Sequence, residues 1–435
     1  MSELIPDGWN NIAIDDFIER VIDNRGKTPP LSDTGYGLIE IGALSESGRF
    51  PNYSRIRKRV DANTFDTWFR AGHPKKGDIL IPTVGTIGIC CILDKTLGSI
   101  AQNLIALRVK PENNPVYAYY ILSSYWTTKQ IEMIVMNAVQ PSLRVPQFLE
   151  LKALQPPLPE QQKIAAILSS VDEVIEKTQA QINKLKDLKT GMMQELLSPR
   201  EGQVANINNP QGESEDSLHH TEFKDSPLGR IPVGWDVKSF SDIFELKNGV
   251  NKGKESFGNG VPIISYRNVY DRDGITDEKI TGLVEMNESE LSRFHSQHGD
   301  IFITRTSETP DEIGYANVYL GCRSDVVFSG FVIRARQITK VINPIYSLYA
   351  FQTHSIREQM IHNSKFTTRA GISGESLSRL KIAVPPIEEQ TKIAEALTSI
   401  TNRIDSLELK NKSTKSIKKA LMQDLLTGKV RVNVD

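Results

Sequence analysis

The chain has 435 residues and only three cysteines, Cys90, Cys91 and Cys322. Two are neighbours and the third leaves the count odd, which excludes a disulfide framework. A reducing cytoplasm is therefore the expected compartment. Long apolar runs are missing as well. The longest, Ile87 to Leu93, is strand-sized, against the roughly 18 residues of a membrane helix, so no membrane partner is expected. The opening Met-Ser-Glu-Leu-Ile-Pro lacks the basic and apolar regions of a secretory signal. A formal net charge of −1 excludes a globally basic nucleic-acid binder, so any DNA contact must rest on local patches. The tract 201–230 is acidic and 380–435 is basic, while 1–150 and 231–379 are nearly balanced.

Recognisable catalytic chemistry is the next absence. Gly249-Val250-Asn251-Lys252-Gly253-Lys254 is one residue too short for a phosphate loop and lacks the Ser or Thr that follows its lysine. Gln155-Pro156-Pro157-Leu158 and Val384-Pro385-Pro386-Ile387 lack the acid or amide and the aromatic that a base-methylating Pro-Pro loop needs. As prolines entering a helix they are fully explained. His295-Ser296-Gln297-His298 offers two imidazoles but no third ligand at metal spacing. Cys90-Cys91 sits in an apolar run and reads as core. No nucleophile elbow or Ser-His-Asp order is visible. Neither a catalytic residue nor a metal ligand is assigned.

What is present is a duplication. The segment Leu151-Lys152-Ala153-Leu154-Gln155-Pro156-Pro157-Leu158-Pro159-Glu160-Gln161-Gln162-Lys163-Ile164-Ala165 returns 229 residues later as Leu380 to Ala394. The register holds without a gap to Leu196-Leu197 and Leu425-Leu426. A weaker echo opens each half, Ile5-Pro6-Asp7-Gly8-Trp9 against Ile231-Pro232-Val233-Gly234-Trp235. A period this long marks a half-protein, since solenoid repeats run about 20–50 residues.

Each repeated segment predicts a helix. The prolines force an extended entry, and Glu160 and Glu389 place acid in the first turn, where the helix dipole favours it. Apolar residues then recur at steps of four and three: Ile164, Leu168, Val171, Ile175 and Ile182 in one copy, Ile393, Leu397, Ile400, Ile404 and Leu407 in the other. That spacing predicts a coiled-coil seam between two antiparallel arms, each of about 38 residues and about 57 Å. Polar Asn411 and Thr414 replace Ile182 and Leu185 in the second seam, and polar seam positions fix register.

The regions between the arms mix strand and helix signals. Strands are expected at Leu38–Ile41, Asp78–Ile81, Ile87–Ile92 and Leu104–Val109, then at Val261–Ser265, Asp300–Thr304, Tyr315–Leu320 and Phe328–Ala335. Helices are expected at Val116–Asn137 and Ile345–His362. Gly77-Asp78-Ile79 and Gly299-Asp300-Ile301 repeat one turn into a strand; elsewhere the two regions diverge. The fold class is α+β, a pseudo-twofold repeat of two globular heads joined by two long antiparallel helices. The divisions are a head at 1–150, an arm at 151–200, a polar linker at 201–230, a head at 231–379 and an arm at 380–435.

The duplicated arms, the Ile-Pro-x-Gly-Trp openings, the lead-in Phe223-Lys224-Asp225-Ser226-Pro227-Leu228-Gly229 and the paired Gly-Asp-Ile strands together resemble the DNA-specificity subunit of type I restriction–modification enzymes. The resemblance covers nearly the whole length. It implies that each head is a target-recognition domain reading one half of a split, asymmetric sequence in double-stranded DNA, and that the chain performs no chemistry. It further implies two methyltransferase subunits docked on the arms and a motor-nuclease subunit added for cleavage. S-adenosylmethionine, ATP and Mg2+ would belong to those partners. Two other readings stay open on the residues alone: a self-contained methyltransferase or nuclease with an eroded motif, and a scaffold whose heads bind proteins.

Candidate DNA contacts follow from charge and from short polar residues at strand ends. The densest basic run holds Arg55, Arg57, Lys58 and Arg59, beside Phe50 and Tyr53. Thr83 and Thr86 follow the first Gly-Asp-Ile strand, and Thr304, Arg305 and Thr306 the second. Ser142 and Arg144, and Lys365, Thr367, Thr368 and Arg369, stand before the two arms. Arg25 and Lys27, and Lys252 and Lys254, complete the set.

Overall fold

Both repeated segments fold as single forty-residue helices, Leu158–Leu197 (arm 1) and Ile387–Leu426 (arm 2). At 1.5 Å per residue each is about 60 Å long. The computed structural model describes residues 5–44, 48–85, 88–135, 142–198, 220–366 and 368–434. Most of the linker, with Thr86 and Thr367, lies outside the described residues.

The compact units cut across the linear divisions. One comprises 1–181 with 407–435, the other 182–406. Each unit therefore holds one head, the start of that head's own arm and the end of the other arm. In the first, Lys418 pairs with Asp172 at 2.7 Å and Asn411 Nδ2 donates to Gln179 Oε1 at 3.0 Å. Rising numbers on one arm meet falling numbers on the other, so the segments are antiparallel. Asn411 is buried at the seam, where an amide tied to one partner resists a slip in register. Thr414 is half-buried and turns its hydroxyl back onto Lys410 O.

In the first head, β1 (Asn10–Ala13) lies antiparallel to β9 (Lys152–Gln155), tying entry to exit. Between them come β2 (Ile18–Asp23), β3 (Tyr36–Ile39), β4 (Arg59–Val60), β5 (Ile79–Pro82), β6 (Cys91–Ile92), β7 (Ser99–Ile100) and β8 (Leu104–Val109). They form a four-stranded sheet in the order β2-β8-β5-β6 and a smaller sheet β4-β3-β7. The second head adds a hairpin of β10 (Phe223–Ser226) and β11 (Gly229–Pro232). Then follow β12 (Asp236–Ser239), β13 (Phe244–Asn248), β14 (Phe257–Ile264), β15 (Leu283–Val284), β16 (Ile301–Thr304), β17 (Thr306–Ser307), β18 (Ala316–Val318), β19 (Val327–Phe328), β20 (Val332–Gln337), β21 (Lys365–Phe366), β22 (Ala370–Gly371) and β23 (Lys381–Val384). Their order is β12-β23, β13-β20-β16-β18 and β15-β14-β19, the first head's topology strand for strand, plus a ribbon β17-β22-β21.

Divergent sequences thus share one frame, and the paired motifs explain how. Gly77 and Gly299 sit at φ +90° and +88°, a backbone region glycine enters without strain. Asp78 then accepts Lys75 N–H at 2.8 Å and pairs with Arg108 at 2.7 Å. Asp300 accepts Gln297 N–H at 2.7 Å and pairs with Arg336 at 2.6 Å. The Gly-Asp-Ile signature closes a buried turn in each head. The Trp and Glu-Gln motifs form a second lock. Trp9 Nε1–H donates to Glu160 at 3.1 Å and Trp235 Nε1–H to Glu389 at 3.0 Å. Gln161 and Gln390 accept the backbone N–H of Asn114 and Asn343, the residues that cap the next helices. These glutamates act through side-chain partners rather than through the helix dipole alone.

The seam requires a correction. Ile164 and Leu168 belong to the first head's core, with Trp9, Tyr117, Tyr120, Phe148 and Leu425. Ile393 and Leu397 belong to the second head's core, with Met192, Leu196, Tyr346 and Phe351. Each arm's first turns therefore pack on a head as well as on the other arm. Ile175 and Ile404 are buried further along, while Val171 and Ile400 are half-buried. Several expected elements are broken: Ile345–His362 is two helices, Pro344–Ala350 and His354–His362, and Phe328–Ala335 divides between β19 and β20. The predicted helix Val116–Asn137 is two, Pro115–Leu122 and Tyr125–Val135, with Ser124 capping inward between them. Of Ile87–Ile92, only Cys91–Ile92 is strand among the described residues.

Candidate nucleic-acid interface

Four loops converge at one edge of the first head: 24–28 after β2, 83–85 after β5, 101–103 before β8, and 142–144 before the helix Val145–Leu149. Thr28 Oγ1 donates to Gln102 Oε1 at 3.4 Å. Thr83 N–H donates to Asn103 O at 2.9 Å, and Thr83 O accepts Leu143 N–H at 2.7 Å. A single bridge joins Val84 to Ser142.

The second head builds the same edge from equivalent loops. Val250 bridges Ser329, and Gly330 N–H donates to Val250 O at 2.8 Å. Arg305 N–H donates to Phe331 O at 3.0 Å, and Arg305 O accepts Ile372 N–H at 3.0 Å. The bridge of the first head is here the ribbon in which Thr306 and Lys365 both face Gly371. Thr306–Ser307 and Lys365–Phe366, read separately in the sequence, are thus the outer strands of one ribbon, on either side of β22.

Individual candidates fare differently. Thr83 is buried, with its hydroxyl turned to Asn103 O, and Thr304 is fully buried. Neither presents a hydroxyl at the surface: Thr304 ends β16 and is enclosed there, and Thr83, one residue past β5, is turned onto the loop before β8. Arg305, Thr306, Lys365, Thr368 and Arg369 are exposed on the second edge, and Arg369 lies 3.7 Å from an exposed Glu308. Exposed pairs of this kind contribute little and can be exchanged for another anion. Ser142, Arg144 and Lys27 are exposed on the first edge. Arg25 is tied to Asp23 at 2.6 Å. Burial would raise the Asp23 carboxyl, but hydrogen bonds and charge from Arg25 hold it below the ordinary range. Lys252 pairs with Glu290 at 2.7 Å, and that hydrogen bond lowers the Glu290 carboxyl, while Lys254 is exposed.

The basic run lies elsewhere, along β4 and the turn before it. Lys58 pairs with Glu40 at 2.7 Å, Arg59 Nη1 donates to Gly35 O at 2.9 Å and Arg55 Nη1 to Gly42 O at 3.4 Å. Of the four, only Arg57 is exposed without a partner among the described residues. Sequence reasoning missed Gln102, Asn103 and Phe331. Phe331 was absorbed into the expected strand Phe328–Ala335, yet it stands 64% exposed in the turn between β19 and β20. Among the described residues no group of three or more His, Cys, Asp or Glu is placed to hold a metal ion.

Known proteins carry the same organisation. The family described as type I restriction modification DNA specificity domain matches residues 6–187 and again 232–418. A Methanocaldococcus jannaschii protein provisionally named the type I restriction enzyme MjaX specificity subunit is 26% identical, over 98% of this chain and 95% of that protein. The MjaVIII specificity subunit of the same organism is 24% identical over 98% and 94%. The crystal structure of a type I restriction–modification S subunit from M. genitalium superposes with a TM-score of 0.56 at 16% identity, covering 98% of this chain and 97% of that one. With both halves matched and the fold shared, the chain belongs to the type I restriction–modification DNA-specificity family, as a non-catalytic component that recognises DNA.

Proposed function

We propose that each head reads one half of an interrupted, asymmetric duplex sequence with its four-loop edge, while the arms fix the spacing and dock the catalytic subunits. The observation that carries this reading is that one edge is built twice with different side chains. A shared frame sets where the heads meet DNA, and different residues on it make the two half-sites different. A forty-residue helix of about 60 Å compares with about 34–36 Å for one turn of duplex, so half-sites one to two turns apart are within range.

Two methyltransferase subunits are the proposed partners of the arms, joined by motor-nuclease subunits. Leu188 on arm 1 and Ile417 on arm 2 stand 229 residues apart and are both exposed. An apolar side chain repeated on the open face of each arm supports one docking position per arm. S-adenosylmethionine, ATP and Mg2+ belong to those partners, and the assembly works in the cytoplasm with the host DNA. No helix among the described residues is long and apolar enough to cross a membrane.

Head exchange tests the division of labour. The β1–β9 pairing shows where to cut: residues Ile14 to Leu151 are replaced by the matching head of a relative, leaving Trp9 and Glu160 in place. One half of the methylated sequence is expected to change and the other to persist; a change in both would overturn independent readers.

A finer contrast separates positioning from reading. Arg57→Ala removes a free cation suited to phosphate, so affinity should fall alike on all sequences and the salt slope should flatten by about one. Arg305→Ala should cost about 1–3 kcal/mol on the cognate site and little elsewhere. Titrations of the assembled methyltransferase at several salt concentrations decide, and unchanged discrimination by Arg305→Ala removes it from the reading edge.

A further inference from the structure

The backbone bonds of the two edges place Asn103 and Phe331 at one and the same position. Ala101 N–H donates to Ile39 O, and Ser329 N–H to Ile264 O, at 2.8 and 2.9 Å. Leu104 N–H closes a tight turn on Ala101 O, and Val332 N–H the same turn on Ser329 O, at 3.0 and 3.1 Å. Pro82 faces Leu104 across β5 and β8, as Thr304 faces Val332 across β16 and β20. One residue further along, Thr83 meets Asn103 and Arg305 meets Phe331 through the bonds already described. Four matched constraints fix the equivalence without any likeness of sequence.

Both side chains stand in the open. Asn103 is exposed, its backbone carbonyl engaged and its side-chain amide without a partner among the described residues. Phe331 is held at the turn by its carbonyl while its ring projects into solvent. The ring stands at the tip of the turn, next to Arg305, whose backbone N–H bonds the Phe331 carbonyl and whose side chain is also exposed. The rest of the same turn is buried or half-buried in each head, Ala101 and Gln102 in one and Ser329 in the other. Each turn therefore presents one free side chain, and it differs between the heads.

Resting on the half-site reading proposed above, we infer that this turn is a base-contacting position in both heads, with Asn103 and Phe331 as its specificity-determining residues. A free amide matches the paired donor and acceptor of adenine N6 and N7 in the major groove, and an exposed ring matches the C5-methyl of thymine. The first head thus selects an adenine at the position under its turn. The second selects a thymine at the corresponding position of its own half-site, beside the base pair met by Arg305.

The test uses the assembled methyltransferase carrying Asn103→Ala or Phe331→Ala, with the methylated sequence first read from host DNA. Each variant is expected to relax one position of its own half-site by about 5- to 150-fold, leaving the other half-site unchanged. A duplex with uracil in place of that thymine should bind the unaltered complex more weakly, while Phe331→Ala should bind the two duplexes equally. A duplex with 7-deazaadenine should behave in the same way toward Asn103→Ala. Because both side chains are exposed, unaltered thermal melting is expected and separates contact from folding. Uniform weakening on every sequence would mean backbone contact only and overturn the inference, as would unchanged discrimination. If head exchange moves a half-site while these variants do nothing, the turn is wrong and the division of labour stands. If head exchange also moves nothing, the half-site reading itself has failed.

Discussion

Leu168→Asp is expected to unfold the first head, an effect larger than separating the arms from each other. Leu168 is fully buried among Tyr117, Tyr120, Phe148 and the Leu425–Leu426 end of arm 2. Truncating a buried leucine alone costs about 2–5 kcal/mol, and an unpaired carboxylate in the same place adds several more. The sum approaches the whole stability of a typical domain, about 5–15 kcal/mol. Hydrogen exchange should show protection lost through β2, β5 and β8 while β13, β16 and β20 keep theirs, and Leu397→Asp should give the mirror result in the second head. Intact protection in the first head alongside separated arms would show that Leu168 serves the seam only. Loss of methyltransferase assembly by such variants cannot be assigned to the arm surface, for which exposed Leu188 and Ile417 are the cleaner targets.

The reason this role was hidden is periodicity itself. A heptad-like stripe reports that one face of a helix is buried, and it is silent on what buries it. Ile164 and Ile175 occupy the same stripe, yet one packs on a head and the other lies further along the arm. The arms themselves were legible because proline entry, acidic first turn and apolar residues recurring at steps of four and three all agree. The common topology of the heads was not legible, since it is specified by backbone pairing and by a few bonds such as Asp78 to Arg108, thirty residues apart. Among the candidate hydroxyls, Thr83 and Thr304 are buried while Ser142, Thr306 and Thr368 are exposed, a difference that charge and residue type in the sequence do not disclose. Thr83 and Arg305 hold equivalent places, and whether the side chain turns in or out depends on its size and charge. Asn103 carried no signal of its own; only the turn it shares with Phe331 brings it forward.

The junction between head and arm leads to the second large effect. Glu160 is buried and accepts Trp9 Nε1–H at 3.1 Å, Arg431 Nε–H at 3.0 Å and Arg431 Nη2–H at 2.6 Å. Arg431 also donates to Asp7 O at 3.0 Å, so one carboxylate gathers the opening strand, the start of arm 1 and the segment after arm 2. Removing one partner of a buried pair leaves the other uncompensated, at about 3–5 kcal/mol. Glu160→Ala should lie near the lower bound, because the Arg431 side chain is 42% exposed and water can take its place. Arg431→Met strands the buried carboxylate instead and should cost more. Combining Arg431→Met with Glu160→Gln leaves a neutral acceptor for Trp9, and the double variant should be more stable than Arg431→Met alone. The second junction differs, since Glu389 accepts Trp235 at 3.0 Å and meets His220 at 2.9 Å, with no arginine among the described residues. Substitutions at Glu160 should therefore weaken hydrogen-exchange protection in 9–13 and 152–165 and leave 235–239 and 381–394 untouched. Equal loss at both junctions, or additivity of the two substitutions in urea denaturation, would show that Glu160 and Arg431 are not a clasp.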